Sequence, residues 1–479
     1  MRASLTTIAL LALLAAPMGA AASPRQVMSF EAPAELLDYT RAETLREIRA
    51  FGVTQVRQVV YWRDFAPSPE RKRKPDFDAT NPDAYPRGTW TRLDELIAAA
   101  RRQGVAVMLT PTGPVPTWAT ASKEGDVDRP STRLFGQWVE ALALRYGAQV
   151  DLWSIWNEPN QPQFLMPQYR NGRPVSPSHY RNLYRAAYRA IRAVPGNRRD
   201  KIVLGETAPR GDSTTVHPLR FLRGVACLDK DYEPVGSCVP LRADGYAHHA
   251  YTSKLGPRYE PPHEDDVTIG VLPRLVRALD RAGRTGRIPR GLDIYLTQFG
   301  IQSYPDTQSG VPVARQPADY AVAEHIAYVN RRVALFSQYL MRDDQPRPDG
   351  YRFRGFESGL RTSDGRAKPS YRAFANPLAA ERYGRSDVLW GLLRPQRSAT
   401  RVQILVRRPG SGRWRLLRRL TTTPTGVYGL RVRRRGRQLY RVRWTMKNGH
   451  RRTGPGVRSY PDGVATGSAA GPARTIHQP

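Results

Sequence analysis

The sequence predicts a (β/α)8 barrel followed by a small all-β sandwich. Three observations carry that expectation. Eight short apolar runs alternate with helical periods between about 26 and 376, and no Gly-rich phosphate turn follows the first run, as a doubly wound sheet would need. Near Ser386 the apolar period then drops to two. The 479 residues suit one large α/β domain plus something smaller, and 40% apolar with 9% aromatic residues excludes wholesale disorder.

The elements follow in order. Arg2, the apolar run 8–16 and the small residues Ala20, Ala21 and Ala22 read as a secretory signal over residues 1–22, so the protein is expected to be secreted and extracellular. That run is too short to span a bilayer, and no later stretch of 18 apolar residues exists, so no transmembrane segment is expected. The strand candidates are 26–32, 53–61, 105–110, 151–156, 202–205, 245–251, 294–299 and 333–339. They fill a barrel domain over 23–380. Ser176-Pro177 reads as the cap and first turn of the helix after the fourth strand. Runs 402–406, 414–416, 427–432 and 439–444, broken by Pro-Gly, Ser-Gly and Arg-Gly turns, give a fibronectin- or immunoglobulin-like sandwich over 386–460. The small, polar tail 461–479 is expected to be disordered.

Charge is unevenly spread. The chain carries 75 Lys+Arg against 42 Asp+Glu, a net +33. Between Ser386 and Tyr460, 19 Arg and Lys447 face the single acid Asp387, which is +19. The sandwich is therefore a candidate anchor for an anionic cell-wall polymer, against a plainer reading as a solubilising face. Nucleic acid is not expected, because no aromatic base-stacking motif accompanies the arginines. Cys227 and Cys238, with ten residues between them, are expected to form a local disulfide in an oxidising compartment. No metal and no cofactor is expected. The two cysteines alone cannot build a zinc site, and adjacent His248 and His249 point to opposite faces of a strand. No Walker loop, dinucleotide fingerprint or serine elbow occurs.

Barrel chemistry stands where strands end. At the end of the fourth run lies Trp153-Ser154-Ile155-Trp156-Asn157-Glu158-Pro159-Asn160. A carboxylic acid beside indoles and a carboxamide has what a sugar site needs: ring faces for the pyranose, an amide for a hydroxyl, and apolar neighbours that raise the acid's pKa. This motif, with His249-Ala250-Tyr251 in the sixth run and Thr297-Gln298-Phe299-Gly300 ending the seventh, resembles glycoside hydrolase clan A, including its cellulase-like family 5 and family 39 members. The resemblance covers about 26–376. It implies Glu158 as acid/base, Asn157 on the sugar 2-hydroxyl, Arg57 as the strand-two arginine, and Tyr251 of the His-x-Tyr motif bonding the nucleophile. It also implies Trp62, Trp118 and Trp156 as sugar platforms, and a glycan as ligand.

One position departs from the pattern. Where the family has Thr-Glu-Phe-Gly, with that Glu as nucleophile, this chain has Gln298. Retaining hydrolysis needs a carboxylate about 5–5.5 Å from the acid, and an amide is a poor substitute. Three readings stay open. The chain binds β-linked glycans without cleaving them. Alternatively it hydrolyses by another route, through a 2-acetamido sugar that supplies its own nucleophile or through a recruited carboxylate such as Asp343, Asp344, Glu206 or Asp244. In the third reading the slot is misaligned or Gln298 is a sequence variant. Glu206 and the Asp343-Asp344 pair also have plain structural readings, as salt-bridge or loop residues.

Overall fold

The computed structural model describes residues 23, 25–345, 355–396, 398–446 and 449–460, and the backbone of 465–466. Eight strands form the wall of a barrel: β1 (Val27–Glu31), β2 (Gln55–Tyr61), β3 (Ala106–Thr112), β4 (Leu152–Ser154), β5 (Lys201–Thr207), β6 (Gly245–His248), β7 (Ile294–Phe299) and β8 (Val333–Tyr339). All neighbouring pairs are parallel, and β1 closes on β8. The helices that follow are α1 (Arg41–Ala50), α2 (Thr91–Arg102), α3 (Thr132–Tyr146), α4 (Ser176–Ala193), α5 (Pro218–Val225), α6 (Leu272–Arg284), α7 (Gln316–Val329) and α8 (Pro369–Phe374). In α4 Pro177 occupies the first turn as expected, but Ser176 bonds Gln168 Oε1 at 2.9 Å instead of capping the helix. The signal sequence expected at 1–22 lies outside the described residues.

The two-residue side-chain period of a strand positions the site. Met108, Leu152, Val203, Ala247, Tyr295 and Leu335 form a buried apolar layer inside the barrel. Two residues further along the same strands stand Thr110, Ser154, Gly205, His249, Thr297 and Ser337, so the next layer up is polar. One step of the pleat therefore separates a hydrophobic plug from a hydrogen-bonded floor at the C-terminal rim.

Beyond the barrel, β9 (Leu378–Tyr383), β10 (Ser386–Leu392) and β13 (Val427–Arg433) form one antiparallel sheet. A second contains β12 (Arg415–Thr421), β11 (Arg401–Arg407), β14 (Leu439–Thr445) and β15 (Arg451–Thr453), with Val457–Arg458 on β14. Apolar side chains of both sheets share one core. The sandwich therefore begins at Leu378 and not at Ser386, because β9 pairs along its whole length with β10. The barrel meets it along Ala321 and Val322 of α7, packed on Ala379, Trp390 and Val427. Arg394 forks onto Glu324 at 2.7 and 2.9 Å in the same seam. In the tail expected to be disordered, Ala465–Thr466 pairs with Tyr259–Glu260; its other residues lie outside those described. Cys227 and Cys238 are disulfide-bonded.

Candidate active site

Three carboxylates and two cations meet on the polar floor. Arg57, fully buried on β2, donates from Nη1 to Glu31 Oε2 at 2.6 Å and from Nη2 to both Glu206 Oε2 and Asn157 Oδ1 at 2.9 Å. Its Nε donates to Thr110 Oγ1 at 3.1 Å. His249, just past β6, lies between Glu158 (Nδ1 to Oε1, 2.8 Å) and Glu206 (Nε2 to Oε2, 2.6 Å). A single path of hydrogen bonds thus runs from Glu158 through His249, Glu206, Arg57 and Glu31 to Gln298.

Local backbone irregularity aims these side chains. Trp156, Glu158 and Glu206 all have positive φ, at 73°, 40° and 53°, a conformation costing non-glycine residues of order 1–3 kcal/mol each. Such strain persists only where surrounding structure over-determines it. Glu158 N donates to Glu206 O at 2.9 Å, which ties the two turns together. Gly205, at φ 114°, precedes Glu206, and a Cβ there would meet Ala247 O at 2.5 Å. The pairing of β5 with β6 shifts register at this point, a bulge that turns Glu206 inward. A second shift, between Leu296 and Phe299 of β7, turns two consecutive side chains to the axis. Thr297 Oγ1 donates to Glu206 Oε2 at 3.0 Å, and Gln298 Nε2 donates to Glu31 Oε2 at 3.3 Å.

The electrostatics sort the three acids. Burial would raise Glu206, but Arg57, His249 and Ser154 hold it down to about 2, so it is a permanent anion. Burial keeps the Glu31 carboxyl above its usual value even though Arg57 and His249 oppose it. Burial would lower His249, yet its bonds to Glu158 and Glu206 carry it above the ordinary imidazole value. Glu158 is the one member of this trio with measurable exposure, 13% against 0% and 1% for Glu206 and Glu31. A proton on the Glu158–His249 pair can therefore reach a bound molecule through Glu158 alone.

Several sequence expectations are corrected. Trp62, Trp118 and Trp156 present no open ring face, since each is 0–1% exposed. Trp62 stacks on Trp138 of α3 with centroids 5.7 Å apart, and Trp156 packs against Phe135 at 5.0 Å. Trp118 Nε1 donates to Pro67 O and Trp156 Nε1 to Phe164 O. These indoles build the wall behind the mouth and cannot stack on a sugar. The Tyr251 hydroxyl is buried without a hydrogen-bond partner among the described residues, and the Gln298 amide donates to Glu31. Asp244 stands at the opposite rim, before β6, where it pairs with Arg192. Asp343 is held by Lys368 at 2.6 Å, with burial pushing it up to about 6, and Asp344 accepts from Phe356 N. His248 is a wall histidine bonded to Thr207 and Val267. Glu31 was missed; its only sequence signal is one acid closing the first apolar run.

Among the described residues one group, His217, His263 and Asp266, brings three potential metal ligands within 4.8 Å. The two imidazoles stack face to face at 3.5 Å, so their in-plane lone pairs do not converge on one ion. Asp266 Oδ1 accepts from Gly211 N and bonds His217 Nδ1, and the group clasps two rim loops.

Comparison with known proteins adds a likeness to one family. Residues 19–252 match the cellulase family, glycosyl hydrolase family 5. The match spans a little under half of the chain and is a likeness to that family. That span contains Arg57, Asn157, Glu158, Glu206, His249 and Tyr251, and stops before β7 with Gln298. Among solved structures, a family 39 glycoside hydrolase from the gut symbiont Bacteroides cellulosilyticus WH2 aligns with a TM-score of 0.51 at 17% identity, covering 85% of this chain and 81% of its own. A GH5_18 structure from Streptomyces cattleya, in complex with GlcNAc, aligns with a TM-score of 0.50 at 17% identity, over 74% of this chain and 79% of its own. At such identities the likeness is one of fold. No curated protein matches the sequence.

Proposed function

We propose that the mouth of the cellulase-like barrel binds a β-linked glycan, with Glu158 as general acid/base and Gln298 in the nucleophile's position. Ordinary retaining hydrolysis is then impaired by roughly 10⁴ or more, because a neutral amide neither attacks the anomeric carbon nor balances its charge. The supporting observation is the pairing of the rim-exposed acid Glu158 with a protonatable His249, on the same hydrogen-bonded floor as an amide at position 298. Asn157 Oδ1 is committed to Arg57, which leaves its Nδ2 for a sugar hydroxyl. The protein is read as secreted, in keeping with its apolar N-terminus and its disulfide.

A second catalytic reading has one observation in its favour. Glu31 pins Gln298 Nε2, so the amide offers Oε1, an acceptor, to the cleft. A 2-acetamido sugar would fit: its N–H donates to Oε1 while its carbonyl oxygen attacks C1. The C1–O bond to the leaving group breaks as Glu158 protonates that oxygen. Water then opens the oxazolinium ion, giving its proton to Glu158. The S. cattleya relative was crystallised with GlcNAc, a sugar of this class. The remaining alternative is a non-catalytic glycan- or cell-wall-binding protein, anchored to an anionic wall polymer by its C-terminal sheets.

The test compares the wild type, Gln298→Glu and Gln298→Glu/Glu31→Gln on aryl β-glycosides and aryl 2-acetamido-β-glycosides. The single change sets a second carboxylate beside Glu31, about 3.3 Å from it, while Arg57 is already shared by two carboxylates. One of the two acids will therefore hold its proton at neutral pH. The double variant is expected to gain orders of magnitude over wild type, and the single variant much less. A fast wild type on plain glycosides, insensitive to Gln298→Ala, contradicts the assignment.

A further inference from the structure

The floor of the barrel gives every buried cation a carboxylate, but the second sheet of the sandwich does the opposite. No Asp or Glu occurs between Val388 and Tyr460. On the sheet's outer face Arg401 lies across from Thr421, Gln403 lies between Arg419 and Arg443, and Thr445 lies opposite Arg451. Inward-facing Val402, Ile404, Tyr440 and Val442 fill the core, so the alternation forces the arginines onto one surface. A shallow groove of about 660 Å³ crosses the four strands over these residues.

The face is built, not merely charged. Gln403 Oε1 accepts from Nε and Nη2 of Arg443 at 2.9 and 2.7 Å, which fixes one guanidinium and leaves its Nη1 edge outward. Arg407 and Arg441 cover the ring of Trp414 at 5.1 and 4.1 Å. Neighbouring strands are roughly 4.8 Å apart, so like charges crowd along the face without a counter-ion. Burial first, and then its neighbours Arg443 and Arg407, hold Arg441 below its usual value. A linear polyanion laid across the strands relieves the repulsion, and planar forks suit carboxylates.

We infer that this outer face is a binding site for a carboxylated polysaccharide, gripped by Arg401, Arg419, Arg443 and Arg451. The inference rests on reading the C-terminal sheets as a polyanion anchor and goes further by naming the face and the chemistry. Gln403, Thr421 and Thr445 interleave with the arginines and match sugar hydroxyls between charges. The Trp414 ring is covered by Arg407 and Arg441, and Trp444, the aromatic residue that lines the groove itself, is partly buried against the sandwich core.

The experiment uses the full chain and polygalacturonate, with fully methyl-esterified polymer as the uncharged control. At about 0.15 M salt the wild type is expected to hold the acid polymer and not the ester. Changing all four arginines to Gln should cost at least tenfold, with the log–log salt slope falling by roughly one per arginine removed. Changing all four to Lys keeps the charge but loses the forks, and should also cost several-fold. A matched pair, Arg437→Gln with Arg458→Gln, removes charge from a separate concavity and should leave affinity within twofold. Thermal melts confirm that each variant is folded. A Lys variant that binds like wild type overturns the site in favour of diffuse charge. Loss confined to the Arg437/Arg458 pair overturns this face and spares the anchor reading, whereas no binding to any polyanion ends both. Tighter binding of polyphosphate, duplex DNA or anionic vesicles through the same four arginines overturns the ligand class.

Discussion

Arg57 and Arg443 show how differently one side chain is used in the two halves of this molecule. Arg57 is sealed inside the barrel and spends its donors on Glu31, Glu206, Asn157 and Thr110. Arg443 is half-buried on a sheet face and holds one amide, with no carboxylate partner among the described residues. A buried guanidinium must be paired, since an uncompensated buried charge costs several kcal/mol, whereas water tolerates an exposed one. The barrel's charges are thus part of its architecture, and those of the sandwich are free for something outside it.

Removing each arginine is the strongest way to break this contrast. Arg57→Leu strands Glu31 and Glu206 and is expected to cost about 3–5 kcal/mol in urea unfolding. Arg443→Leu should stay within about 0.5 kcal/mol, as for most surface changes. Equal losses would erase the distinction.

Acid unfolding gives a second, smaller effect with a definite sign. Glu206 titrates near 2 in the folded state against 4.5 ordinarily, so its stabilisation is complete above about pH 4.5 and lost as the pH falls toward 2. His249 is shifted upward, so its contribution is present below the ordinary imidazole value and lost as the pH rises through the folded one. Stability measured from pH 2 to 8 should show the acid limb in wild type and lack it in Glu206→Gln; an unchanged limb would take Glu206 out of the network.

The smallest effect belongs to the sandwich. Screening at 0.5 M NaCl should raise the melting temperature by a degree or two through relief of arginine crowding, and the four-Gln variant should lose that response. A salt response that persists in the variant would move the crowding elsewhere.

Much of this was readable from the chain because it is local. The period-two and period-3.6 runs gave the strand count, and the segments around Glu158 and His249 gave the rim. What escaped detection depends on distant partners. Glu31 acquires meaning only from Arg57 and from Gln298, 267 positions away. Trp62 and Trp156 are walled in by Trp138 and Phe135 of α3, which no reading of their own loops reveals. Leu-Ala-Ala-Glu-Arg-Tyr at 378–383 is rich in helix formers yet forms β9, since pairing with β10 and packing against α7 outweigh propensity.

The central claim is that position 298 faces the anomeric carbon that Glu158 serves. The most direct measurement treats the Gln298→Glu/Glu31→Gln variant with a panel of 2-deoxy-2-fluoro-β-glycosyl fluorides and maps any adduct by mass spectrometry. The expected result is a covalent glycosyl ester on the peptide carrying residue 298. A label on Glu206 or Asp343 instead, or turnover that never labels position 298, would contradict the account.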